Sequence, residues 1–194
     1  MKSIFLATSI VIVFLIGSCQ TQKDSSMNDH DGTVKTEAAT RDTIKKSIPK
    51  EEHAQVAGAH LTIKYYAPAV RGRTIWGGLV PYNEVWVTGA HSATSLEIDK
   101  DFAVNGRKIS AGKYAIFTIP GREKWIIVIN KNWDQHLADE YDAKDDVIRL
   151  EVNPDPLENT LERLQYSLTS KGDHSASISI SWDKLRVTIP VEIK

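Results

Sequence analysis

The chain predicts an all-β fold, an antiparallel two-sheet β-sandwich of about nine strands with at most one or two short helical turns. Three observations carry this. Apolar residues recur at every second position in short runs from Leu61 onward, turn-forming residues separate those runs, and no amphipathic helical stretch exceeds a few turns. A closed barrel is the rival arrangement of the same strands.

The elements follow in order. Leu61, Ile63 and Tyr65 alternate with Thr62 and Lys64. Residues 95–98 and 102–104 read as short strands, and Asn105-Gly106 is a favoured two-residue hairpin turn because both positions tolerate positive φ. Gly112 opens a strand over Lys113 to Ile119, which Pro120-Gly121 closes. The run from Trp125 to Ile129 is apolar on both sides, as expected of a strand with material packed on each face. Ile148, Leu150 and Val152 alternate with Arg149 and Glu151, after which Asn153-Pro154-Asp155-Pro156 forbids continuation. A strand resumes near Glu162, and a single helical turn before it stays open. The last hairpin sets Ile178, Ile180 and Trp182 against Leu185, Val187 and Ile189 about a turn at Asp183-Lys184.

Composition divides the 194 residues into three zones. Lys2 begins a short basic region, Ile4 to Ile16 is an apolar run, and Gly17-Ser18 precede Cys19, the single cysteine. Leu15-Ile16-Gly17-Ser18-Cys19 resembles a bacterial lipobox. That resemblance implies that residues 1–18 are a lipoprotein signal peptide, that Cys19 is acylated, and that the mature protein is anchored in the membrane through this lipid. The apolar run is shorter than the ~20 residues a spanning helix needs. Gln20 stands where aspartate holds many such proteins at the inner membrane, which favours the outer membrane by analogy. From Gln20 to about Ala59 the chain is polar and lacks aromatic residues, so residues 19–59 read as lipidated N-terminus and disordered tether. As flexible coil the tether spans about 35 Å. His53 and His60 near its end fit no metal-ligand spacing. Residues 60–194 form the sandwich domain, large enough to need no disulfide or metal for stability.

A net charge of -1 excludes the clustered cationic footprint that nucleic acid requires. The sequence has no nucleophile elbow, no zinc-helix motif and no free cysteine once Cys19 is acylated, so it implies no cofactor and no catalytic residue. The segment Arg71 to Thr94 concentrates Trp76, Trp86, four glycines and His91, an alternation of aromatic anchors and hinges that suits a site. Trp76, Trp86, His91, Tyr114 and Trp133 are therefore candidates to line a concave surface, with Arg73 and the backbone from Gly89 to Thr94 supplying polar contacts to a small molecule, glycan or protein ligand. Trp125 and Trp182 are assigned to the core; for Trp76 and Trp86 core and platform stand level. His91 reads as a hydrogen-bonded loop or core histidine ahead of a general base. The loop from Asn132 to Asp146 carries His136, Asp139, Glu140, Asp142, Asp145 and Asp146, but its spacing fits no EF-hand, and it reads as a solvated acidic loop ahead of a calcium site.

The body also resembles a family, the bacterial envelope proteins classed as domain of unknown function 2911. The resemblance covers about His60 to Glu192. It rests on Tyr65-x-x-Pro68, on Arg71-Gly72-Arg73 through Pro81-Tyr82, on Trp86-x-Thr88-Gly89-Ala90, on Gly112-x-Tyr114 through Ile119-Pro120, and on Trp125 to Lys131. It implies an envelope location and leaves activity open. In the family's pattern an arginine usually stands at Val87, an asparagine at His91, and a Trp-Gly pair near His136-Leu137.

The reading that results is a lipid-anchored envelope β-sandwich that binds a ligand. Two alternatives remain: a metal-assisted hydrolase using His91 and His136 with acidic partners, and an assembly component that recruits a partner through an edge strand.

Overall fold

The computed structural model describes residues 46–194, so the lipobox, Cys19 and the tether up to residue 45 lie outside the described residues. No helix among them is long and apolar enough to cross a membrane. Ten extended runs form two antiparallel sheets that face each other without closing into a barrel. The first sheet is ordered β1-β2-β3-β6-β7-β8: β1 (Ile48–Val56), β2 (Ala59–Ala67), β3 (Thr94–Ile98), β6 (Gly112–Pro120), β7 (Trp125–Asn130) and β8 (Asp146–Val152). The second is ordered β5-β4-β10-β9, with β4 (Phe102–Val104), β5 (Arg107–Ile109), β9 (Asp155–Ser170) and β10 (Ser175–Ile193).

Strand β1 corrects the sequence reading, which placed residues 48–59 in the tether. Pro49, Glu51, His53 and Gln55 face outward, and the inward set includes Lys50 and Glu52 with Val56 alone fully buried, so the strand carries little apolar alternation. Charged Lys50, Glu51 and Glu52 suit a sheet edge, where they discourage further pairing. Ala57 and Gly58, both at positive φ, turn it into β2.

β10 is hydrogen-bonded without a break, yet it doubles back. Ile193 N donates to His174 O at 2.8 Å, Ser179 Oγ lies 3.3 Å from Thr188 Oγ1, and Arg186 Nε donates to Ser181 Oγ. A straight strand would hold Ile193 and His174 about 60 Å apart. All three pairs centre on Asp183-Lys184, with Asp183 at φ 53°, so the expected hairpin is present. Its first arm, with Leu185 and Arg186 at the start of the second, pairs with β9, and the end of the second arm pairs with β4. Residues 155–161, where the leucine spacing also admits a single helical turn, are extended instead. Pro156 is accommodated opposite Leu185, where the register between β9 and β10 slips.

The core between the sheets takes the alternate residues of each strand, among them Leu61, Ile63, Leu96, Ile116, Ile127, Tyr166, Ile178 and Val187. A second apolar cluster covers the outer face of β6 and β7. There Val87, Ala93, Ala115, Phe117 and Val128 pack with Val85, Trp133, Ala138 and Tyr141 from the long loops. β7 is thus buried on both faces, as its sequence requires. The covering loops stop short of β1 and β2, and the outer face steps down there.

Candidate functional site

The stretch Arg71 to Thr94 does not form one hollow. Trp86 bridges to Thr118 as a continuation of the sheet beyond β3 and joins Trp76, Trp125 and Trp182. The Trp86 and Trp182 rings stack at 5.6 Å, and Trp76 meets Trp125 edge-on at 4.6 Å. Trp125 and Trp182 are buried, and Trp76 and Trp86 are half-buried against them. Four indoles at one end of the sandwich are packing, with each ring pair adding about 0.5–1.5 kcal/mol beyond its buried area. The Nε1 groups of Trp76 and Trp125 are buried without a hydrogen-bond partner.

Thr88-Gly89 behaves as a latch. Thr88 is fully buried at φ 54°, and its carbonyl accepts from both Thr94 Oγ1 and Tyr166 Oη. A Cβ on Gly89 would lie 2.9 Å from Thr94 Oγ1 and 3.3 Å from Tyr66 O, so only glycine fits between those chains. Thr94 is therefore committed to the latch. Tyr114 lies on the inner face against Phe102, and its hydroxyl donates to Ser110 O. Burial raises the Tyr114 phenol, and Asp101 raises it further. Arg73 donates to the Ala69 and Val70 carbonyls, closing its own loop. Arg73, Trp76, Trp86, Thr94 and Tyr114 thus form no common surface.

A hollow of about 400 Å³ lies instead at the step on the outer face of the first sheet, between β1, β2 and the Ser92 and Trp133 loops. The register explains its floor. Lys64 pairs with Ser95 and with Glu51, and Tyr66 pairs with Pro49, so these side chains share the outer face. Lys113 stands two residues from Ala115, the partner of Ser95, and joins them. One wall is Trp133-Asp134 and another Ser92-Ala93. Those walls are stitched together: Ala93 N donates to Gln135 O, Leu137 N donates to His91 O, and Gln135 Nε2 donates to Asn132 O.

The polar groups here fall into two sets. Lys64 Nζ is 3.2 Å from Glu51, and Lys113 Nζ sits 3.5 Å from the centre of the Trp133 ring. Lys50, Asp134, Ser92 and Ser95 line the same hollow. His91 borders it, its exposed ring edge-on to Tyr66 at 5.0 Å. His91 holds φ 65°, a left-handed conformation that asparagine adopts readily, which gives a conformational reason for asparagine at this position in the family's pattern. Val87, where that pattern has arginine, is sealed in the outer cluster.

Of the expected ligand-binding residues, the hollow gathers Trp133, with His91 at its border. Sequence reasoning missed Tyr66, Lys64, Lys113 and the β1 residues. The available signal was Tyr66, an aromatic on the polar side of an alternating strand.

The acidic loop is used for support. Asp142 caps the 3-10 turn Ala143–Asp145. Asp146 accepts from Asn130, Tyr141 and Arg149, and the bonds that Arg149 donates to Asp146 and to the Tyr141 hydroxyl raise its guanidinium above its ordinary range. His136 pairs with Asp139 at 2.9 Å. The His91 and His136 backbones run side by side, but their rings turn to Tyr66 and Asp139. Among the described residues no group of three His, Cys, Asp or Glu converges on a metal position.

No curated protein and no solved structure matches the chain. Residues 47–191 match the profile of the family described as Protein of unknown function (DUF2911), a span that includes β1, and the chain belongs to that family.

Proposed function

We propose that the protein is a binding module of the cell envelope, held to the outer membrane by a lipid on Cys19, that takes a small ligand in the hollow bounded by Tyr66 and Trp133. One observation carries the reading. This cavity joins two aromatic side chains to several charged and hydroxyl groups on a rigid sheet, which is the usual make-up of a small-molecule site. The lipid reading is supported by the run that ends in Cys19.

Ser92→Trp fills the hollow from an exposed position and tests the site. Ligand-observed NMR with a fragment set should find compounds that bind the wild type and are lost in the folded variant. A fragment set that binds both proteins alike, or neither, overturns the assignment. Palmitate labelling tests the anchor: it should mark the wild-type protein in cells and vanish in Cys19→Ala.

A further inference from the structure

We propose that the occupant of the hollow is an anion, a carboxylate or phosphate carried on a flat or aromatic body. This rests on the hollow being a binding site and names the chemistry that it selects.

Two ammonium groups on the outer face line the cavity, those of Lys64 and Lys113, against two carboxylates, those of Glu51 and Asp134; Lys50, paired with the inward Tyr65, turns its side chain to the other face. Lys64 and Glu51 neutralise each other at 3.2 Å. That leaves Lys113 facing Asp134. Lys113 is the informative group. Its cross-strand neighbour is Glu97, the partner that electrostatics would choose, yet the pair forms no ion pair and the ammonium lies over Trp133. A cation held on an aromatic face is partly stripped of water and retains its attraction for an anion. The same placement covers one face of Trp133, the face on which a neutral sugar would stack. The unoccupied polar groups, Ser92 and Ser95, add hydroxyl donors to the same wall. The apolar part of the ligand then lies against Tyr66 and Pro49, which are paired across β1 and β2.

The test uses hippurate and phenyl phosphate as anionic aryl probes, hippurate methyl ester as the neutral match, and inorganic phosphate as the anion without a body. Binding is followed by calorimetry on the folded domain. Hippurate or phenyl phosphate should bind at least about tenfold tighter than the ester, the margin of one charge-assisted hydrogen bond. Lys113→Met should remove that margin, and Lys50→Met, which changes a side chain on the opposite face of β1, should leave it unchanged. Inorganic phosphate should bind more weakly than phenyl phosphate.

Vesicles of phosphatidylglycerol, compared with phosphatidylcholine, separate the sources. Selective binding to phosphatidylglycerol that Lys113→Met abolishes, with no response to the soluble anions, assigns the same chemistry to a lipid headgroup. Equal affinity for hippurate and its ester overturns the anion inference while leaving the hollow a binding site. Absence of binding by every probe, neutral and charged, and by vesicles, overturns both.

Discussion

Tyr166 Oη donates to the carbonyl of Thr88 at 2.9 Å, tying β9 of the second sheet to the turn that follows Trp86. The same carbonyl accepts from Thr94 Oγ1 at 3.0 Å. The run Trp86-x-Thr88-Gly89-Ala90 thus fastens one sheet to the other. Tyr166→Phe should cost about 1 kcal/mol, since the carbonyl keeps one partner. Urea denaturation should show a lower midpoint at an unchanged slope.

Gly89→Ala should be more damaging. The added methyl meets Thr94 Oγ1 at 2.9 Å and Tyr66 O at 3.3 Å, and one of those contacts is backbone that cannot swing aside. A loss of about 1–3 kcal/mol is expected. A thermal melt unchanged from wild type contradicts the latch.

Trp86→Ala should act on stability and leave the hollow alone. Removing one of four packed indoles should cost about 3 kcal/mol and weaken the near-ultraviolet circular dichroism of the cluster. Any ligand found for the wild type should bind the folded variant with its affinity intact.

Alkaline pH should loosen the inter-sheet contact in a defined window. Burial is the main reason that the Tyr65 phenol is pushed up from 10.0 to about 12, and burial raises its neighbour Tyr166 as well. A raised pKa in the folded state means that the unfolded chain releases these protons first. The stabilisation is complete below pH 10.0 and is lost as pH rises toward about 12. Urea midpoints measured at pH 9, 10.5 and 11.5 should fall over the last two values, and less steeply in Tyr65→Phe.

β2 and both arms of β10 were legible through alternation, because one face meets the core, and β6 and β7 through apolar runs buried on both faces. β1 was not, because an edge strand over a partly uncovered face needs few apolar residues and reads as tether. The extended start of β9 was obscured by Pro154 and Pro156, which a slipped register at a sheet margin accommodates. The hollow escaped for a different reason. Tryptophan beside glycine describes a close-packed sheet end as well as a binding platform, and nothing local separates Trp86 from Trp133. The hollow is assembled from residues between Pro49 and Asp134, brought together only by the β1-β2-β3-β6 register. Tyr66 and Lys64 were visible as outward residues of β2, but their neighbours across the sheet were not.

The five indole resonances of a nitrogen-15-labelled domain give the most direct test of where ligand binds, because four of the five tryptophans belong to the packed cluster and only Trp133 lines the hollow. Titration with the fragments that bind the wild-type protein should shift the Trp133 indole signal and leave those of Trp76, Trp86, Trp125 and Trp182 in place. Shifts confined to Trp76 and Trp86, with Trp133 unmoved, would contradict the account and return the site to the segment between Arg71 and Thr94.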